Sequence, residues 1–216
     1  MIAVVDYGSG NLHSVTKAFE AVGAEAGVAS TAEELARAER IVLPGVGSFA
    51  EGMRSLRRSG LVEALAEQVL VRRKPFLGIC LGMQMLSEEG SEDGVHAGLG
   101  WIAGRVVAMK PSDRALKIPH MGWNDVAPAA GGREFFAGLP AKTAFYFAHS
   151  YHLEGAEPGS VAATTDYGGP VVAAVRKDNI FATQFHPEKS QHLGLLMLRN
   201  FANWKPAARP AGGVSA

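Results

Sequence analysis

Short apolar runs constrain this chain more than any other feature. Ile2–Asp6, Ile41–Leu43, Pro75–Ile79 and Ile180–Thr183 are each too short for an ordinary helix and lie beside Gly, Pro or Asn punctuation. They read as strands, with Ile2–Asp6 buried. Helical patterns fill the intervals. Asn11–Val22 places Leu12, Val15, Ala18, Phe19 and Val22 on one face, Leu61–Val71 turns Leu61, Leu65 and Val69 inward, and Leu81–Ser87 follows the third strand directly. Strands separated by helices of this length predict an α/β fold with a doubly wound, mostly parallel sheet.

The second half changes character. Trp101–Met109, Ala144–Phe147, Ser160–Thr165 and Val171–Val175 read as strands joined by turns, so this part of the sheet is expected to be antiparallel. Lys189–Trp204 reads as a closing helix with Leu193, Leu196, Met197 and Phe201 inward. Residues 1–204 form one expected domain. The Ala, Pro and Gly run of 205–216 has nothing to bury and is expected to be mobile.

Composition narrows the class. A chain of 216 residues with 47% hydrophobic content can build a real core. Its 21 basic and 21 acidic residues cancel, which argues against a nucleic-acid or anionic-membrane binder, since these depend on clustered Lys and Arg. No apolar run is long enough to span a bilayer, and MIAVVDYGSG has no basic region or cleavage site of a secretory signal. A single cysteine cannot form an internal disulfide, which fits a reducing cytoplasm. Seven histidines and that cysteine show no metal-ligand spacing, and no cofactor fingerprint occurs.

The cysteine is Cys80, within Gly78-Ile79-Cys80-Leu81-Gly82. A nucleophile between two small residues, at a strand-to-helix turn, has the pattern of a nucleophile elbow. The helix start favours a thiolate. Cysteine alone would more often be a small buried hydrophobe; the glycines and the turn reverse that judgement. A thiol nucleophile needs a base, and the base needs an orienting acceptor. Gln184-Phe185-His186-Pro187-Glu188 supplies both, with Pro187 limiting how His186 and Glu188 can turn. Pro44-Gly45-Val46-Gly47-Ser48-Phe49 follows a strand and is by itself only a turn. Beside the other motifs, it could bring a backbone N–H of Val46 or Gly47, with that of Leu81, to an oxyanion.

On these residues the chain resembles the class I, or triad, glutamine amidotransferases. The blocks DYGSGNLHS at 6–14, PGVGSF at 44–49, GICLGMQML at 78–86, KIPHMGWN at 117–124, FYFAHSY at 145–151 and QFHPEKS at 184–190 occur in the order of one branch. That branch contains the glutaminase subunits of imidazole glycerol phosphate synthases. The resemblance implies a Cys80, His186 and Glu188 triad, glutamine as substrate and no cofactor. It also implies a heterodimer with a cyclase subunit that takes up the ammonia.

The resemblance and the chemistry together place Gln84, one helical turn beyond Cys80, either at the substrate or in solvent. They assign main-chain substrate contacts to His149, Ser150 and Tyr151. His186 is the better base than His149, which has no carboxylate near it in sequence. Asn11, Tyr146 and Lys189 either face the partner or have ordinary capping and surface roles. His120, Met121, Gly122, Trp123 and Asn124 are expected to form a packing or interface loop. Two other readings stand beside this one: a glutaminase serving another synthase, such as that of pyridoxal phosphate, and a catalytically silent docking scaffold.

Overall fold

The computed structural model describes residues 1–207. In the first half, β1 (Ile2–Val5), α1 (Leu12–Ala21), β2 (Ala26–Ala29), α2 (Ala32–Arg37), β3 (Arg40–Gly45), α3 (Phe49–Arg58), α4 (Val62–Ala66), β4 (Phe76–Cys80) and α5 (Leu81–Gln84) alternate regularly. The second half is mainly strand: β5 (Glu89–Gly90), β6 (His96–Ala97), β7 (Arg105–Ala108), β8 (His120–Pro128), β9 (Thr143–His149), β10 (Tyr151–Glu154), β11 (Val161–Asp166), β12 (Pro170–Lys177) and β13 (Ile180–Thr183). The helix α6 (Gln191–Asn203) closes the described chain.

Nine strands form one sheet in the order β2-β1-β3-β4-β13-β12-β11-β8-β9. Neighbours from β2 to β13 run parallel, and those from β13 to β9 antiparallel. β10, β7, β5 and β6 form a small second sheet. The apolar runs are central strands because both of their faces are covered. Ala3, Val5, Ile41, Leu43, Phe76, Ile180 and Ala182 pack on the side of α2, α3 and α4. Ile2, Val4, Val42, Leu77 and Phe181 pack with Val15 and Phe19 of α1 and Met197, Leu198 and Phe201 of α6.

Several expected boundaries move. The helix expected over 61–71 is α-helical to Ala66 and continues as a π-turn over Glu67–Val71, where the Arg72 N–H donates to the Glu67 carbonyl at 2.9 Å. The helix expected over 81–87 ends at Gln84, because the chain must turn to enter β5. The strand expected over 101–109 shrinks to Arg105–Ala108. The closing helix begins at Gln191, after a 3-10 turn over Pro187–Lys189, and Leu193 and Leu196 are only half-buried. Residues 120–124 are no loop but the start of β8, paired with β9 from His120↔His149 onward. Of the expected tail, 208–216 lie outside the described residues.

Three missed elements carried usable signals. Thr31 and Glu34 form a reciprocal capping box at α2. Ser48 caps α3 by accepting from the Glu51 N–H, and Phe49, Met53 and Leu56 recur at helical spacing inward. β8 alternates buried and exposed positions over much of its length, as a half-covered strand does. The elbow also sets a packing requirement. A Cβ on Gly82 would fall on the Leu43 carbonyl oxygen, and one on Gly78 would lie 2.9 Å from the Gly82 carbonyl oxygen. Gly82→Ala is therefore expected to cost on the order of 3–5 kcal/mol. In thermal unfolding this lowers the melting temperature by roughly 10 °C. Gly60→Ala meets no atom within 4 Å and pays only for its φ of +72°, so it should cost far less.

Candidate active site

Parallel strands bring their C-terminal ends together, and the loops leaving them meet there. Gly45 of β3 is paired with Cys80 at the end of β4. β13 lies on the other side of β4 and ends at Thr183, so the chain reaches Gln184 and His186 beside the same edge. Cys80 has φ +53° and ψ −107°, a conformation that non-glycine residues adopt only under strain. It is 6% exposed.

His186 and Glu188 form the second part. His186 Nδ1 lies 2.8 Å from Glu188 Oε1, and both side chains are almost fully buried. Two hydrogen bonds fix the turn that carries them. The His186 N–H donates to the Tyr146 carbonyl at 2.8 Å, forming an isolated bridge to β9. The Ser190 hydroxyl accepts from the Tyr146 N–H at 3.0 Å and donates to the His186 carbonyl at 2.6 Å. Burial opposes a charged imidazole. Hydrogen bonds with Cys80 and Glu188, and the negative charge they carry, outweigh it and raise His186 from 6.5 to about 10. The other oxygen of Glu188 is buried without a partner, so the imidazolium is the main compensation for this carboxylate.

Cys80, Leu81, Gln84, Val46, Gly47, His149, Ser150, Tyr151, His186 and Lys189 all line one cavity of about 310 Å³. This lies at the small end of ligand sites, which run roughly 300–1,000 Å³. Glu92 also lines it and is the only carboxylate among the lining side chains. One Glu92 oxygen accepts from the Phe49 N–H at 2.8 Å. The sequence reading missed Glu92, which sits in an irregular stretch with no motif around it. The loop after β1 braces the wall bearing Val46: Tyr7 donates to the Pro44 carbonyl at 3.0 Å and Ser9 to the Val46 carbonyl at 2.7 Å. In a trans peptide the Gly47 N–H then points away from Ser9.

His149 is held as a neutral ring. Its Nδ1 faces the Tyr151 carbonyl at 2.9 Å, which can only accept, so Nδ1 carries the proton. His120 Nδ1 must then donate to His149 Nε2 at 2.9 Å, and Asn124 lies 3.2 Å from His120 Nε2. Burial pushes His149 down to about 3 and His120 down to about 4. No carboxylate faces this pair through these hydrogen bonds, unlike His186.

Of the three expected partner-facing residues, Tyr146 and Lys189 lie side by side, and Asn11 has a capping role. Asn11 caps α1, its side chain accepting from the Ser14 N–H. Lys189 lies 5.9 Å from the centre of the Tyr146 ring, and Trp123 meets the other neighbourhood of Tyr146 edge-on at 6.2 Å. Met121, Trp123, Ile118 and Val46 are large exposed apolar side chains, and Met121 and Val46 belong to the cavity wall. Among the described residues, no group of three or more His, Cys, Asp or Glu could hold a metal ion, and no helix is long and apolar enough to cross a membrane.

The fold and this arrangement agree with comparisons to known proteins. The family model "Glutamine amidotransferase class-I" matches residues 3–203. The imidazole glycerol phosphate synthase subunit HisH of Rhodospirillum rubrum is 50% identical over 212 residues, covering 95% of this chain and 99% of that protein. HisH 1 of Campylobacter jejuni is 52% identical over 202 residues, covering 94% and 99%. Among solved structures, PurLQS from Thermotoga maritima superposes with a TM-score of 0.72 at 20% identity, covering 94% of this chain and 97% of that one. The chain belongs to the class I glutamine amidotransferases and, within them, to the HisH subunits of imidazole glycerol phosphate synthase. It is thus a glutaminase of histidine biosynthesis.

The ring states give a direct check. His186 is favoured as imidazolium, so its contribution to stability is complete below pH 6.5 and is lost as the pH rises through about 10. His120 and His149 are favoured neutral; their contribution is present above pH 6.5 and lost as the pH falls through about 4 and about 3. Nitrogen NMR of the histidine rings should find His186 protonated at about pH 8 and His120 and His149 neutral at about pH 5. Glu188→Gln should lower the His186 midpoint.

Proposed function

We propose that Cys80, His186 and Glu188 carry the glutaminase reaction and that the ammonia passes directly to a cyclase subunit bound over the cavity mouth. The observation that carries the reading is the buried Glu188–His186 pair at 2.8 Å beside a nucleophile-elbow cysteine. The Cys80 thiolate attacks the side-chain amide carbon of glutamine. The carbon–nitrogen bond breaks, and the proton of His186 goes to the departing ammonia. Water then attacks the γ-glutamyl thioester and gives a proton to His186, and the electron pair of the broken C–S bond returns to Sγ. Glu188 fixes the imidazole tautomer and balances the imidazolium.

The oxyanion formed in both steps is met by backbone N–H groups of Leu81 and of Val46 or Gly47. One such donor contributes about 3–4 kcal/mol to lowering the barrier. Gln84 and the His149-Ser150-Tyr151 segment orient the substrate, and Glu92 supplies a counter-charge for its α-ammonium. Asn11, Tyr146 and Lys189, with exposed Met121 and Trp123, form the docking side for the cyclase. Ammonia released into neutral water becomes mostly ammonium, which is not nucleophilic, so a covered mouth protects the product. The products on the cyclase side would be imidazole glycerol phosphate and an aminoimidazole carboxamide ribonucleotide. The lone cysteine and the biosynthetic role fit the cytoplasm.

Cys80→Ser should reduce glutamine-dependent turnover by at least a thousandfold while leaving ammonia-dependent synthesis by the complex intact. Full retention of glutamine-dependent activity would overturn the covalent route. The isolated chain should hydrolyse glutamine slowly and the complex with its nucleotide ligand quickly. Equal rates would count against direct transfer. Trp123→Asp should weaken the complex in an association assay without changing the basal glutaminase rate of the isolated chain.

A further inference from the structure

Gln184 lies in the QFHPEKS block but has no part in the triad. Its side chain is fully buried, as is most of Gln84 beside it. The orientation of both amides follows from one backbone group. The Tyr151 carbonyl can only accept, and Gln84 lies 2.9 Å from it, so that atom of Gln84 is the Nε2 donor. The second Gln84 hydrogen points to Gln184 Oε1 at 3.0 Å. With its oxygen committed to Gln84, Gln184 turns Nε2 to Cys80 Sγ at 3.6 Å. The opposite orientation would set two NH₂ groups against each other and an oxygen against the sulfur.

From this geometry we infer that Gln184 is a further catalytic residue, a neutral hydrogen-bond donor to the Cys80 thiolate, held in orientation by Gln84. The inference rests on Cys80 being the nucleophile. A donor to a charged acceptor stabilises the charged form, and more so where water is excluded. His186 also stabilises the thiolate, but it gives up its proton during turnover. Gln184 keeps its hydrogens throughout. It therefore supports Sγ both as attacking thiolate and as leaving group when the thioester C–S bond breaks and the electron pair returns to sulfur.

The test is the pH dependence of iodoacetamide alkylation of the full chain, in which Cys80 is the only cysteine. Gln184→Met keeps the volume and removes the donor. Its half-maximal alkylation pH should rise by about one unit and its neutral-pH rate should fall about tenfold, with circular dichroism confirming a native fold. A packing role alone would leave the midpoint in place, and a folded Gln184→Met with the unmodified midpoint overturns the inference. If that variant does not fold, Gln84→Met decides: it leaves Gln184 in place but unaligned, and an unshifted midpoint there overturns the inference equally. The nucleophile is tested separately in the unmodified chain. Alkylation that left glutaminase activity intact would remove the reading of Cys80, whereas an unshifted midpoint removes only the role of Gln184.

Discussion

A carboxylate with an unpartnered oxygen, buried beneath a folded domain, has to be answered by a positive charge. Glu188 is in that position, and the answer is His186, lifted to about 10 between Glu188 and Cys80. Desolvating a single ion costs several kcal/mol, and the close pairing at 2.8 Å offsets that cost. The site is thus a row of mutually dependent ionisable groups rather than a nucleophile with accessories. Its geometry requires two chain segments more than a hundred residues apart to end side by side. The parallel pairing of β4 with β13 provides that.

The surrounding polar groups are arranged so that none competes with this row. His149 shares the cavity wall with His186 and His120 is bonded behind it, yet their hydrogen bonds leave both rings neutral. His149 and His186 therefore differ in charge within one site, separated by whether a backbone carbonyl or a carboxylate faces Nδ1. The same Tyr151 carbonyl that fixes His149 also fixes Gln84, so one backbone acceptor sets the polarity of two side chains in the wall.

Much of the parallel half was legible in the sequence because its signals are local. Unbroken apolar runs mark strands covered on both faces, and Gly78 and Gly82 flank Cys80 because neighbouring backbone leaves no room for a side chain. His186 and Glu188 are two residues apart, and the turn between them is fixed by Pro187. What the sequence concealed is set by distant partners. β8 looked like a loop because half its side chains face outward and its register comes from β9. Gln184 could be read only as part of a motif, since its partners Gln84 and Cys80 are 100 and 104 positions away. Glu92 had no local pattern at all. By contrast, the capping residues of α2 and α3 are local signals that lie outside the apolar runs.

The bridge between Tyr146 and His186 has a consequence unrelated to catalysis. β9 ends the nine-stranded sheet, and a terminal strand offers unpaired amides on which a second molecule can build. Here the turn carrying His186 folds back over that strand. His186 donates to the Tyr146 carbonyl, and Ser190 accepts from its amide. The opposite terminal strand, β2, is only four residues long. The turn that positions the imidazole is thus also a stopper against edge-to-edge association. Damage to it would be felt in solubility as well as in turnover.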